Sequence, residues 1–291
     1  MANLKEVRNR IQSVITTQQI TLAMKLVSAA KLRKAQDRII SYRPFARQMQ
    51  KLFTNILSNL GDVENSLLEN RELKHVTFVI FSANRGLCGT FNSNVIKYSF
   101  QLFQQEYAPF IENKAYTVLA LGKKVAEALQ RKHIVVSETY HDLIEKPSWN
   151  KIAELGEQLI SSFQEKKTDQ IVIVYNQFKN AAVFIPFHEI LLPFTITSQQ
   201  KNNDLYIFEP EANQILSFLI PLQIKVTLFK ALLESVAAEH GARMIAMHKA
   251  TDNATEMLKE LRLYYNKVRQ ASITKEIIEI MSGAEALKQQ Q

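Results

Sequence analysis

Proline-free heptad runs at its two ends constrain this 291-residue chain more than any other feature. From Leu4 to Tyr42 there is neither Gly nor Pro. Steps of three and four residues then read Leu4, Val7, Ile11, Val14, Gln18, Thr21, Lys25, Ser28, Leu32, Ala35, Ile39 and Tyr42. That spacing places one narrow stripe along a helix, the seam on which helices pair. It predicts a long helix whose seam is apolar at both ends and polar between. Pro44 biases the residue before it away from helix, but the pattern resumes through Met49, Leu52, Phe53, Ile56 and Leu60 to Gly61, so helix is expected to continue.

After Pro221 the chain has no further proline. The second walk runs Val226, Phe229, Leu233, Val236, His240, Arg243, Met247, Ala250, Ala254, Met257, Leu261, Tyr264, Val268, Ala271, Lys275 and Ile278, and thirteen of these sixteen are apolar. A helix from Leu222 to Met281 would be roughly 90 Å long at 1.5 Å per residue. Such a helix needs a partner along its seam, and the N-terminal helix is the comparable candidate in the chain.

Between the two runs, short β-rich segments alternate with helical ones. Strands are expected at 76–82, 115–122, 133–140, 170–178 and 181–194, the last an edge strand because it contains Pro186. Helices are expected to start near Ser93, Lys123 and Ser148. Alternation of this kind predicts a mainly parallel sheet covered by helices. The fold class is therefore α/β: a long antiparallel coiled coil of the terminal helices with an inserted βαβ, Rossmann-like domain. The expected segments are 1–61 for the first helix, 74–206 for the α/β domain and 211–287 for the last helix.

Charge is unevenly distributed. Of a formal net charge of +8, residues 1–51 carry +9, with eleven Lys and Arg against Glu6 and Asp37, while 52–210 carry −2 and 211–291 carry +1. Nucleic acid or an acidic protein surface would suit such a segment. Seven Gly and seven Pro are too few for a disordered or fibrous chain, and 46% apolar residues suffice for a sizeable core. The single cysteine, Cys88, excludes an internal disulfide and is expected to be a small buried hydrophobe. Neither a signal-peptide core nor a bilayer-length apolar run is read, so a soluble protein is expected, with room for attachment to a membrane complex.

Motifs for chemistry are weak. "SANRGLCGTFNSN" follows a strand and precedes a helix, but with Gly86 and Gly89 as its only glycines it lacks the spacing of a dinucleotide or P-loop fingerprint. It reads as a tight strand-to-helix turn with Asn92 or Ser93 as N-cap. Six histidines show no zinc-binding spacing, and His240 and His248 are expected on the surface or in the seam. Glu234 with Glu239, or Glu276 with Glu279, could pair as acid and base, but carboxylates on long charged helices are usually solvated or ion-paired at i,i+3 and i,i+4. No catalytic residue, metal or cofactor is expected.

Polarity in the C-terminal run is less ordinary. Arg243 falls at a seam position, and 265–276 place Arg269, Gln270 and Thr274 on several faces; by themselves these three read as surface. Alanines at 237, 238, 242, 246, 250 and 254 imply close helix approach and a slim pair suited to insertion into something.

Three segments in order, 11–38, "RGLCGTFN" at 85–92 and 239–287, resemble the γ subunit of F-type ATP synthases. The resemblance implies a rotor shaft inside a ring of α and β subunits, turned at its foot by a membrane c-type ring, with catalysis on the partners and no small-molecule substrate of its own. It implies that Met24, Lys25 and Arg243 lie near acidic levers of the β subunits. Arg269, Gln270 and Thr274 would contact a β-subunit loop near the tip, and Tyr206 and Glu209 would face the ε subunit and the membrane ring. It also implies a peripheral position on the cytoplasmic face of a bacterial inner membrane. Gly241 stands where an Ala-like residue is expected, at a cost of about 0.5–1 kcal/mol of helix stability, and implies bending or close packing. The alternative is a basic coiled-coil nucleic-acid-binding or scaffold protein.

Overall fold

A computed structural model describes residues 4–60, 66–194 and 212–288. Helix α1 is Leu4–Leu60 with Pro44 inside it, and α7 is Ala212–Lys288 with Pro221 inside it. Between them lie β1 (Val76–Phe81), α2 (Phe91–Gln105), α3 (Ala108–Glu112), β2 (Tyr116–Leu121), α4 (Lys123–Gln130), β3 (Glu138–Tyr140), α5 (Asp142–Glu145), α6 (Trp149–Gln164), β4 (Gln170–Phe178) and β5 (Phe184–Leu192). The chain divides into two compact units, one of residues 1–27 with 244–291 and one of 28–243.

In the first unit the two helices run antiparallel, and the polar seam positions meet partners across it. The Gln18 side-chain amide donates to Thr255 Oγ1 at 2.7 Å, Thr251 Oγ1 donates to Thr21 Oγ1 at 2.9 Å, and Lys25 Nζ lies 3.3 Å from His248 Nδ1. Each rise along α1 matches a fall along α7. On the α1 side Val7 and Thr21 are buried and Ile11, Val14 and Gln18 half-buried, as the heptad walk expects.

On α7 the walk needs correction. Met257 and Tyr264 are exposed at 44% and 46%, whereas Leu258 is buried and Tyr265 half-buried. Adjacent apolar pairs, Met257-Leu258 and Tyr264-Tyr265, satisfy either phase of a three-four walk, and contact with α1 selects the second. Carried to Leu4, the cross-helix register runs out near Arg269. Beyond Ser272 every described side chain through Ala284 is exposed.

In the second unit, residues 216–242 of α7 are apolar on several faces, and Leu216, Ile220, Ile224, Leu228, Leu232 and Ala237 are among those buried. A helix buried all round has neighbours all round. On one side stand α1 residues: Tyr42 packs edge-on to Phe229 at 5.1 Å, and its hydroxyl donates to Val226 O at 3.2 Å. On another stands the α/β domain, with Trp149 of α6 5.6 Å from Phe229 and Lys225 paired to Glu157 at 2.8 Å. The same apolarity gives α7 an 18-residue window of mean hydropathy 1.6, long and apolar enough by composition to cross a bilayer. Half of that window is buried inside the protein. The sequence reading overlooked it because Lys225, Lys230 and Glu234 interrupt the run.

The sheet order is β3-β2-β1-β4-β5, with β5 antiparallel at the edge and all other pairs parallel. Central β1 is buried at all six positions, the continuous apolar run of a strand covered on both faces. Edge strand β5 accommodates Pro186 opposite Asn176. Strand expectations hold at β1, β2, β4 and β5. At 133–140 only Glu138–Tyr140 pairs, because His133 turns the chain at φ 60° and Ile134 N returns to Leu129 O as the α4 C-terminal turn. Short α3 and α5 escaped the periodicity argument, since one turn carries no period.

Gly241 is a point of close packing. A Cβ there would stand 2.8 Å from the carbonyl oxygen of Ala181, in the turn between β4 and β5. Gly241→Val should therefore lower the thermal midpoint by an amount corresponding to about 1–3 kcal/mol, despite the loss of a helix glycine. Differential scanning calorimetry checks it; an unchanged or raised midpoint would show that this approach does not limit the packing.

Candidate functional site

The sheet reverses its winding between β1 and β4: from β1 the chain crosses outward to β2 and β3, then returns to place β4 on the other side. In open α/β sheets the crevice beyond the strand ends at such a point is where ligands bind. Two loops border it here, 82–90 after β1 and 179–183 after β4.

Helix α7 fills that place. Gly241 lies against Ala181 of the second loop, and Arg243 reaches the first. The Arg243 guanidinium donates to Arg85 O at 3.3 Å, to Gly86 O at 3.3 Å and to Glu239 Oε1 at 2.6 Å. Arg243 and Glu239 are 9% and 7% exposed. Burial raises the Glu239 pKa, opposed chiefly by the Arg243 charge. The pair thus gives the β1 loop an internal cation as partner, where an exchangeable ligand would sit in a nucleotide-binding fold.

Side chains of "SANRGLCGTFN" complete the loop. Helix α2 begins at Phe91 with Thr90 as N-cap, so neither Asn92 nor Ser93 is the cap. Asn92 instead turns back: its Oδ1 accepts from Ala83 N at 3.0 Å, and its Nδ2 donates to Cys88 Sγ at 3.1 Å and Arg85 O at 3.4 Å. Cys88 is buried as expected, and burial raises its thiol pKa. Asn84 Oδ1 accepts from Lys123 N, tying the loop to α4. The result displays Arg85 and Leu87 outward, Leu87 at φ 61° and 64% exposed. A bulky residue held both in the left-handed region and in solvent is uncommon, and the restraints on the loop around it hold it there. Sequence reasoning missed Leu87, since its only signal was an apolar residue between two glycines.

Other expectations divide. Glu234 and Glu239 are not solvated: Glu239 forms its i,i+4 pair inside the protein, and Glu234, 4% exposed, pairs with Arg43 at 3.3 Å while Arg43 also donates to Phe178 O at 2.8 Å. Buried surroundings raise the Glu234 pKa. Glu279 is exposed and paired with Lys275 at i,i+4, as expected. His248 lies in the exposed part of the seam beside Asp252. His240 is half-buried, its pKa lowered to about 4 by burial, Arg243 and Lys31.

The residues expected to contact partners are not assembled into one site. Met24 and Lys25 are half-buried in the helix pair, with Lys25 directed to His248. Arg269, Gln270 and Thr274 are exposed, and Thr274 Oγ1 donates back to Gln270 O at 2.9 Å. Arg243 belongs to the other unit and is engaged within it. Tyr206 and Glu209 lie outside the described residues.

Fold and site together define a coiled-coil subunit with an inserted parallel-sheet domain whose ligand crevice is closed by its own helix. A family model described as ATP synthase matches residues 3–287. The ATP synthase gamma chain of Christiangramia forsetii is 47% identical over 292 residues, covering 99% of each chain. That of Flavobacterium psychrophilum is 46% identical over 291 residues, covering 99% of this chain and all of its own. A chain from the structure of Euglena gracilis mitochondrial ATP synthase, OSCP/F1/c-ring in rotational state 3, shares the fold at a TM-score of 0.73 and 20% identity, covering 98% of this chain and 94% of that one. The chain belongs to the ATP synthase γ chain family. The nucleic-acid-binding alternative finds no support among these relatives.

Arg243→Met should destabilise the protein by about 3–5 kcal/mol, because it leaves the Glu239 carboxylate buried without its cation. Adding Glu239→Leu should recover part of that loss in urea titrations; equal loss in both variants would show that the pair is not the cause. For His240 the unfolded state takes up a proton near the ordinary value of 6.5 and the folded state only near 4, so stability falls as pH drops through that window. The stability of the wild type relative to His240→Gln should therefore decline from pH 6.5 to 4, measured by thermal melts of both proteins across the range.

Proposed function

We propose that this chain is the turning shaft that couples ion flow through a membrane ring to nucleotide chemistry on an α/β ring, and that it carries no catalytic group of its own. The observation behind this reading is the end of α7. Past the register limit near Arg269 the helix has no partner among the described residues, yet it displays Ile273, Ile277, Ile280 and Met281 at 45–71% exposure among polar groups. At 100° per residue these four fall within about 100° of one another, an exposed apolar stripe along the helix, and such a stripe calls for covering protein, which a ring of subunits supplies. Solved relatives are described as rotor and as central stalk with c-ring, which agrees with α, β, ε and c-ring partners for this chain.

In this reading Arg269, Gln270 and Thr274 contact a β-subunit loop near the tip, and Met24 and Lys25 lie beside acidic levers. Arg243 contributes through the loop it holds, which presents Arg85 and Leu87. Tyr206 and Glu209 face ε and the membrane ring, the foot spans about 74–206, and the arms span 1–61 and 211–287. Solvated polar contacts suit a surface that must slide, because exposed ion pairs bind weakly. Catalytic sites lie on the partner subunits, and the assembly sits on the cytoplasmic face of a bacterial inner membrane, in keeping with its bacterial relatives.

Mixed with α and β subunits, the chain should copurify with them and restore ATP hydrolysis; failure to restore it would overturn the proposal. Replacing Arg269 and Gln270 together by Ala should leave the isolated chain's melting curve unchanged and reduce coupled ATP synthesis. Undiminished synthesis would remove their assigned role.

A further inference from the structure

One groove in the second unit is used neither by the packing nor by the proposed shaft contacts. A cavity of about 400 Å³ opens between α1, α7 and the segment after α5, with Lys31, Lys34 and Arg38 on the α1 side and Lys146 opposite. Spacings of three, four and seven residues put the three α1 cations on one helix stripe. None of the four makes an ion pair among the described residues, and all are exposed. Ala35, Leu233 and Val236 form an apolar floor, and Pro147, His240 and the exposed Glu145 complete the lining. The buried His240 Nδ1 has no hydrogen-bond partner, although buried polar atoms nearly always have one. A second cavity, of about 590 Å³, shares Lys34, Arg38, Pro147 and Leu233 with the first and continues it past Asp37 and Ser41 toward Tyr42 and Phe229.

Four cations against the Glu145 carboxylate and, in the adjoining cavity, that of Asp37 leave the opening net positive, and an anion offsets that excess with charge-assisted hydrogen bonds. Inorganic phosphate alone would engage only part of the stripe. The stripe from Lys31 to Arg38 is about 10 Å long at 1.5 Å per residue, so a linked phosphate chain engages more of it than a single phosphate, and the adjoining cavity with Tyr42 and Phe229 offers an apolar surface for an aromatic ring. The combined volume is within the usual range for small-molecule sites. We propose that this groove binds a small polyphosphate anion, either pyrophosphate itself or the phosphate chain of a nucleoside diphosphate. The site is separate from the β1–β4 crevice that Arg243 closes, and it does not depend on the shaft reading, because the isolated full chain should bind.

Isothermal titration of the full-length chain with pyrophosphate and, separately, with ADP tests it. Expected is saturable binding of about one equivalent of pyrophosphate, weakened by added salt. Lys34→Gln with Arg38→Gln should weaken it at least about tenfold, as expected for lost charge-assisted contacts. A control pair on exposed α7 positions, Lys249→Gln with Lys259→Gln, should bind like the wild type. ADP binding as tightly as pyrophosphate identifies a nucleotide; pyrophosphate binding without ADP binding identifies the inorganic chain. If the α1 double variant melts early, Lys146→Gln, on an exposed connecting segment, takes its place in the same comparison. Absence of saturable binding, or equal loss in the control pair, overturns the proposal.

Discussion

A guanidinium buried against two peptide carbonyls organises the second unit of this protein. Arg243 ties α7 to the loop after β1 and, through Glu239, satisfies its own charge within the same helix turn. Burying either charge alone would be costly; as a hydrogen-bonded pair both can sit at the sheet's strand ends. Two residues earlier, Gly241 lets the helix approach the β4–β5 turn as closely as a missing Cβ allows. The approach and the pair together position α7, and the apolar residues of 216–242 then find neighbours on every face.

That arrangement turns an α/β scaffold away from the chemistry its topology usually serves. The reversal between β1 and β4 creates a crevice in any sheet of this order, and here a protein side chain occupies it. Asn92, folded back onto Ala83, Cys88 and Arg85, gives the loop a second set of restraints. What remains outside is Arg85 and the strained, solvent-facing Leu87. The loop is thereby restrained from within, by its own asparagine and by the helix that closes the crevice.

The first unit uses a different economy of contacts. Its seam is polar in the middle, and Gln18, Thr21 and Lys25 each face Thr255, Thr251 and His248 across the pair. Apolar layers alone leave register weakly specified, because one three-four walk packs much like the next. Side chains that must find a particular partner select one alignment, as a single polar seam residue does in coiled coils. The same alignment fixes which part of α7 faces the described start of α1 at Leu4 and which part lies beyond it.

Much of this was legible in the residues. Periodicity alone determined that both ends are long helices and that strands and helices alternate between them, because local spacing reports which side of an element is apolar. The family resemblance rested on segments whose order along the chain is itself sequence. Tertiary structure alone decided the phase of the α7 seam, since Met257 and Leu258 are equally apolar and only contact with α1 chooses between them. It also decided the fate of the charges. Glu234, Glu239 and Arg243 look like ordinary residues of a charged helix, and their burial follows from Arg43, 191 residues away from Glu234, and from backbone carbonyls some 157 residues away from Arg243. A sequence records which side chains can ionise; whether water or a distant partner receives them depends on neighbours that only folding brings together.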